Sequence, residues 1–404
     1  MRSNWKIGSI LGIPLYIDPS WLFILLFITW VNVNQIEQDR LIENLPLLTW
    51  GFALLMALLL FASVLLHELG HSLVARFQGI TVNSITLFLF GGIAAIDRES
   101  KTPVGAFLVA LAGPAVSFAL FFICSNMIGI LPLSSLWKSG IADLARINLT
   151  LAIFNLIPGL PLDGGQMLKA IVWQISGDRF KGVHWASQSG KLVGSFGIAL
   201  GLLLFLLTGA FSTAWIALIG WFVLRNANAY DRLTTLQQSL LKLMAADAMT
   251  RDFRVVNAKL TLRQFAEEYI MAQDTYPKTY FAAADGRYRG LIRVQDLQQI
   301  ERSQWEQTIL EDIAHPLSSI ISIPEKASLA ATINRLEQSG ENRIVVLSPA
   351  GAVAGIIDRG DIVKAIATAQ KLPISPNEIN TIKSEGSYPD YFPLPEIAKG
   401  LDPG

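Results

Sequence analysis

Cysteine is nearly absent from the 404-residue chain, where Cys124 stands alone. One thiol excludes an internal disulfide and a cysteine-built metal site, so any metal must be held by histidine and carboxylate. Histidine is scarce too, with four in all. Charge is the third shortage. Charged residues make up 16% of the chain and hydrophobic residues 52%, against about 25% charged in an ordinary soluble domain. With a mean hydropathy of +0.43, this excludes a disordered chain and a wholly soluble enzyme. Neither sign of charge is in surplus, since 32 Lys+Arg balance 32 Asp+Glu. That argues against a nucleic-acid partner recognised through bulk charge.

The shortage of charge is confined to one half. Residues 1–232 hold 14 Lys/Arg and 11 Asp/Glu, about 11% charged, whereas residues 233–404 hold 18 and 21, about 23%. A spanning helix needs roughly 20 mostly apolar residues. Charge-free runs occupy residues 19–36, 44–66, 102–137, 147–162 and 192–224. The last is broken at Thr208-Gly209 and Ser212-Thr213, and is long enough for two short helices. Six spans are therefore expected in a polytopic α-helical membrane domain over residues 1–232. With the N-terminus inside, the inner segments hold eleven Lys/Arg and the outer ones only Arg40, Lys138 and Arg146. By the positive-inside rule both termini, and the charged half, are expected in the cytoplasm. No cleavable signal peptide is expected, because Asp18-Pro19 and polar residues interrupt the first apolar run.

Residues 78–96 also lack charge, but β-branched and aromatic residues dominate Val82–Phe90, which favours strand over helix. Gly91-Gly92 suits a hairpin turn. A seventh span here would reverse every later segment and spoil the charge bias. A small membrane-associated β-hairpin is the better reading, covered by protein or lining a watery cavity.

Ionisable groups at membrane depth cost roughly 2.5–3.5 kcal/mol each on insertion scales, and mark function by default. The second apolar run ends His67-Glu68-Leu69-Gly70-His71. His67 and His71 are four apart and share one helix face. That spacing suits two imidazole ligands on one Zn²⁺, with Glu68 beside them as general base. A bare H-E-x-x-H also arises where a helix end meets water, but sixteen uncharged residues, Gly51–Leu66, lead directly into this one. A third protein ligand is needed. His315 reads as a surface-loop residue and His184 as a residue of a polar inner loop. Asp163 is the better candidate, in Asn155-Leu156-Ile157-Pro158-Gly159-Leu160-Pro161-Leu162-Asp163-Gly164-Gly165. It falls at the inner end of the fourth apolar run, as the histidines do at the inner end of the second. Proximity follows from this; coordination does not.

Together these residues resemble the site-2 protease family of intramembrane zinc metalloproteases. His67-Glu68-Leu69-Gly70-His71 is similar to its H-E-x-x-H helix, and Asn155, Pro158 and Asp163-Gly164-Gly165 to its N-x-x-P-x-x-x-x-D-G motif. Leu11-Gly12-Ile13-Pro14-Leu15 with Asp18-Pro19-Ser20-Trp21 resembles the start of the six-span subgroup. The resemblance implies that His67, His71 and Asp163 ligate zinc and that Glu68 is the catalytic base toward water. It implies that Asn155 helps hold or polarise the scissile peptide. It also implies that the segment around Gly91 and Gly92 is a β-element pairing with unwound substrate. Family members cleave transmembrane segments of membrane proteins, often regulators such as anti-sigma factors.

The charged half reads as two copies of one unit, residues 245–300 and 310–367. Gly290 and Asp296 recur as Gly355 and Asp361, and Asp285-Gly286 is echoed by Ala350-Gly351. Leu260-Thr261-Leu262 and Ala327-Ser328-Leu329 each open an amphipathic pattern. The repeated α+β unit, opened by Asp247-Ala248-Met249-Thr250, resembles a tandem pair of cystathionine-beta-synthase (CBS) domains. Such pairs commonly bind adenine nucleotides through a Thr or Ser three before the Asp. Here Arg293 and Asp358 stand in those places, and Asp358 would repel phosphate, which argues against a nucleotide. Homodimerisation or docking stands beside nucleotide binding as a role for this half, and so does a half that only stabilises or tethers the chain. Residues 371–404 are polar and proline-rich and read as a flexible tail.

The leading expectation is an intramembrane zinc endopeptidase with a cytoplasmic CBS pair in regulation or dimerisation. The alternative is a CBS-regulated transporter or channel, which would need polar residues lining a path that the third and fifth apolar runs scarcely offer. An inactive scaffold is disfavoured by the intact His, Glu and Asp set.

Overall fold

The computed structural model describes residues 5–39, 45–88, 91–132, 134–271, 279–389 and 391–401. It divides into two compact units, Met1–Thr234 and Thr235–Gly404.

The first unit opens with two short strands, β1 (Trp5–Ile10) and β2 (Ile13–Ile17), joined through Leu11 and Gly12, both at positive φ. Helices α1 (Ser20–Gln38) and α2 (Pro46–Phe77) then lead to β3 (Val82–Phe88) and β4 (Gly91–Ile96). The four strands form one sheet in the order β1-β2-β3-β4, with β2 and β3 parallel and the outer pairs antiparallel. Alternate residues of β2 point inward, as period-2 geometry requires. Ile13 and Leu15 pack with Val82 and Ile85 of β3 and with Leu69 and Ala75 of α2. The sheet thus lies on the α2 segment that carries the two histidines.

This is larger than the expected hairpin. It also moves Gly91 and Gly92 out of the turn and into β4, where Gly92 pairs with Leu87 and Gly91 with Phe88. The register set by β3 carries the pairing past the glycines. The connecting residues 89 and 90 lie outside the described residues.

The helices that follow are α3 (Pro103–Ile130), α4 (Ser135–Asn155), α5 (Asp163–Ser176), α6 (Arg179–Thr208) and α7 (Phe211–Lys242). Among the described residues α1, α2, α3 and α6 are long and apolar enough to cross a membrane. Their outer faces are richly apolar: Phe23, Leu47, Phe122 and Leu206 are all exposed. The expected fourth and sixth spans, α4 and α7, do not meet that measure. Helix α4 starts earlier than the apolar run and takes in Lys138, Asp143 and Arg146, while α7 loses its apolar character at Arg225. The long run at 192–224 breaks at Gly209, a left-handed cap that ends α6. Helices α6 and α7 approach closely because small residues face each other: a Cβ on Gly201 would sit 2.3 Å from the Ala217 nitrogen.

In the second unit β5 (Arg254–Asn257), β6 (Tyr280–Ala284) and β7 (Arg287–Ile292) form one sheet, and β8 (Ser322–Pro324), β9 (Arg343–Leu347) and β10 (Val353–Asp358) another. In each, the first strand runs parallel to the second and the second antiparallel to the third. The expected repeat therefore appears as repeated topology. The second sheet is packed by α8 (Leu329–Ser339) and α9 (Arg359–Gln370), whose Leu329, Ile333, Ile362 and Ile366 are fully buried.

The polar C-terminus differs from expectation. Instead of a flexible tail, α10 (Pro376–Glu385) and α11 (Leu394–Lys399) bury Ile382, Leu394 and Ala398 in the core of the second repeat. Ile374, Tyr388, Phe392, Ile397 and Leu401 pack against the same core, so scattered apolar residues anchor a segment whose composition alone is that of a linker.

Candidate metal centre

Helix α2 places His67 and His71 one turn apart, and the α4–α5 connection brings Asp163 beneath them. His67 Nε2 lies 3.1 Å from Asp163 Oδ2, and His71 Nε2 lies 3.4 Å from Oδ1. The two Nε2 atoms are 3.3 Å apart. Asp163 opens α5, and Gly164 and Gly165 behind it allow the turn. A Cβ on Gly164 would meet the Leu156 carbonyl at 2.3 Å, and one on Gly165 would meet the Leu160 nitrogen at 2.3 Å. The two glycines are therefore what lets the loop 156–162 fold back under the acid.

The opposite ring nitrogens are anchored by α3. His71 Nδ1 lies 2.7 Å from the Val109 carbonyl, and His67 Nδ1 lies 2.9 Å from Ser117 Oγ. A carbonyl only accepts, so Nδ1 of His71 bears a hydrogen, and in the neutral ring Nε2 then presents a lone pair. Ser117 can play the same part for His67. Two lone pairs and a carboxylate converging in a buried space repel one another unless a cation joins them. That donor chemistry fits a divalent, imidazole-binding metal such as Zn²⁺. Space for it comes from Gly113 of α3, where a Cβ would sit 2.2 Å from His71 Nε2 and 2.6 Å from His67 Nε2. His67, His71 and Asp163 form the only such group among the described residues.

Glu68 points from α2 toward β4. Gly92 lies against its side chain, and a Cβ there would sit 2.5 Å from Glu68 Cγ. Asn155 is the last residue of α4, half-buried, eight residues before Asp163. Gly91 sits at the start of β4 with φ +132°.

The other two histidines are placed elsewhere. His184, expected in a loop, lies on α6 and pairs with Asp231 at 3.1 Å. His315 pairs with Asp296 at 2.7 Å. Sequence reasoning missed Val109, Gly113 and Ser117. Their signal was faint: Gly113-Pro114 and one serine in an apolar run. Pro114 lacks the N–H that would serve the Ala110 carbonyl, so the α3 ladder misses one bond next to the carbonyl that holds His71.

The sequence profile of peptidase family M50 matches residues 55–136 and 125–204, which contain the whole trio, and that of the CBS domain matches residues 310–368. A Synechocystis sp. protein named as a zinc metalloprotease is 39% identical over 370 residues, covering 91% of this chain and 97% of its own length. The chain belongs to peptidase family M50, the site-2 protease family. A Mycobacterium tuberculosis protein named as a zinc metalloprotease, Rip3, is 33% identical, covering 91% of this chain and 93% of its own length. A zinc metalloprotease of Methanocaldococcus jannaschii is 25% identical over 91% of this chain and 97% of its own. This M50 chain is accordingly a zinc metalloprotease with apolar membrane helices and a C-terminal CBS domain, and Zn²⁺ is its cofactor. The reading as a CBS-regulated transporter or channel gives way to it.

Proposed function

We propose that the chain hydrolyses peptide bonds within transmembrane segments of membrane proteins, with anti-sigma-type regulators as one substrate class. The observation that carries this is the seating of the trio between apolar helices, with strand β4 lying against Glu68. His67, His71 and Asp163 hold the metal. Bound zinc supplies a Lewis acid and water acidic enough to ionise near neutral pH. Glu68 accepts the proton of the attacking water as it adds to the scissile carbonyl carbon, and returns it to the amine nitrogen as the C–N bond breaks. Asn155 holds the scissile peptide.

A substrate helix must unwind before attack, because its own amides are satisfied internally. Strand β4 is the outer strand of its sheet, so its free edge can take up those hydrogen bonds by β-augmentation, with Gly91 and Gly92 at the pairing end. Six spans over residues 1–232, with both termini and the CBS repeats cytoplasmic, agree with the charge bias. Residues 245–300 and 310–367 then serve as a CBS pair in regulation or homodimerisation.

The test is Glu68→Gln in a reconstituted system with a transmembrane substrate. Cleavage should fall to background while zinc content and thermal unfolding match wild type. Undiminished turnover would refute the assignment.

A further inference from the structure

The match to the CBS domain ends at residue 368, yet the chain continues and α10 lies across the first turn of α9. Ser375 caps α10, accepting from the Glu378 N–H at 3.2 Å, and Gly386 closes it in the left-handed conformation. The close approach requires Gly360: a Cβ there would meet Lys383 Cγ at 2.5 Å and the Ile379 carbonyl at 3.1 Å.

Lys383 reaches two buried carboxylates. Its Nζ lies 2.5 Å from Asp361 Oδ1 and 3.4 Å from Asp358 Oδ2. The acids divide their oxygens between two tasks. Asp358 Oδ1 accepts from the Asp361 N–H at 3.0 Å, and Asp361 Oδ2 accepts from the Asp358 N–H at 3.1 Å. Each thus spends one oxygen capping α9 and offers the other to the ammonium. Their side chains are 9% and 2% exposed, which is costly for a carboxylate without a cation. Arg343 stands at the limit of reach, 4.0 Å from Asp358, and Arg359 turns instead to Glu337 at 2.8 Å. In the first repeat the equivalent positions are Arg293 and Asp296, and Asp296 is paired with His315, so the two-carboxylate arrangement exists only in the second.

We propose that Asp358 and Asp361 form a primary-ammonium site whose resident ligand is Lys383, making the C-terminal segment a tethered ligand of the second CBS repeat. The repeat is self-liganded. Its paired carboxylates select an ammonium and repel phosphate, so the proposal predicts that adenine nucleotides are kept out of it. This is independent of the protease assignment.

The test uses full-length protein in nanodiscs and amide hydrogen exchange over residues 376–386. Lys383→Ala should raise exchange there by about tenfold or more, the scale of losing a hydrogen bond to a charged group. Propylammonium, which fits the vacated space, should restore protection, and tetramethylammonium, with no N–H, should not. Exchange in Lys383→Ala equal to wild type, or equal rescue by both cations, would overturn the proposal. If that variant loses its folded repeat, titration of wild type with AMP and with ATP decides. Binding that disappears in Asp361→Asn overturns the proposal, and no such binding upholds it.

Discussion

Replacing Gly92 by alanine tests how tightly the catalytic base is positioned. The added methyl would sit 2.5 Å from Glu68 Cγ, 3.1 Å from Cδ and 3.4 Å from Oε1. Ordinary carbon contacts are about 3.5–4.0 Å, so the carboxylate must retreat by roughly 1 Å. Strand β4 has little freedom to yield instead, since it is bonded to β3 from Ile96 to Gly91. A misplacement of about 1 Å in a reacting group can cost around a hundredfold in rate, equivalent to about 2.7 kcal/mol of barrier. The metal ligands do not touch this methyl, so zinc should stay. The assay is single-turnover cleavage of a transmembrane substrate beside metal analysis of the same preparation. A rate within threefold of wild type would refute the reasoning, as would loss of zinc, because the methyl would then be acting somewhere other than on Glu68.

Gly113→Ala should do the converse: its methyl enters the space beside both Nε2 atoms, so zinc content should fall to near zero with the helices intact by circular dichroism. Ser117→Ala removes the partner of His67 Nδ1 and should weaken zinc by about 10- to 100-fold, the usual cost of losing an orienting contact, read by competition with a chelator. Alkaline pH should release the C-terminal segment. Burial works against the charge on Lys383, but its bonds to Asp361 and Asp358 outweigh this and raise its pKa above the ordinary 10.5. That stabilisation is complete below 10.5 and is lost as pH climbs through the raised value. Burial, then the charge of Glu337, raises Tyr388 above the ordinary 10.0, so the docked state also loses stability from pH 10 upward as the undocked phenol ionises. Proteolysis of residues 371–401 should therefore accelerate above pH 10 and stay constant from 6 to 9.

The trio was legible because histidines four apart and an aspartate, set into apolar runs, are too costly to keep unless they bind something. What surrounds it was not. The Val109 carbonyl that orients His71 is backbone, and any side chain at 109 would leave the sequence equally silent. Strands β1 and β2 are short, interrupted by Gly8, Gly12 and Pro14, and their partner β3 begins far along the chain. The repeat in the second unit showed through its Gly and Asp offsets. Helices α10 and α11 stayed hidden because polar composition outweighed Ile382, Leu394 and Ala398, whose effect depends on a groove that only the fold supplies.

The parallel pairing of β2 with β3 has a consequence for how the protein is made. Leu15 is matched to Ile85, seventy residues later, with α1 and α2 in between. The two strands can meet only if the intervening pair of helices runs out and back, so that the start of α1 lies beside the end of α2. During synthesis β1 and β2 therefore wait, unpaired with β3, until both helices and β3 have been made. Once zipped, the sheet holds the ends of that helical hairpin together. The sheet is therefore a clasp between the start of α1 and the end of α2, and it closes on the α2 turns that carry His67 and His71.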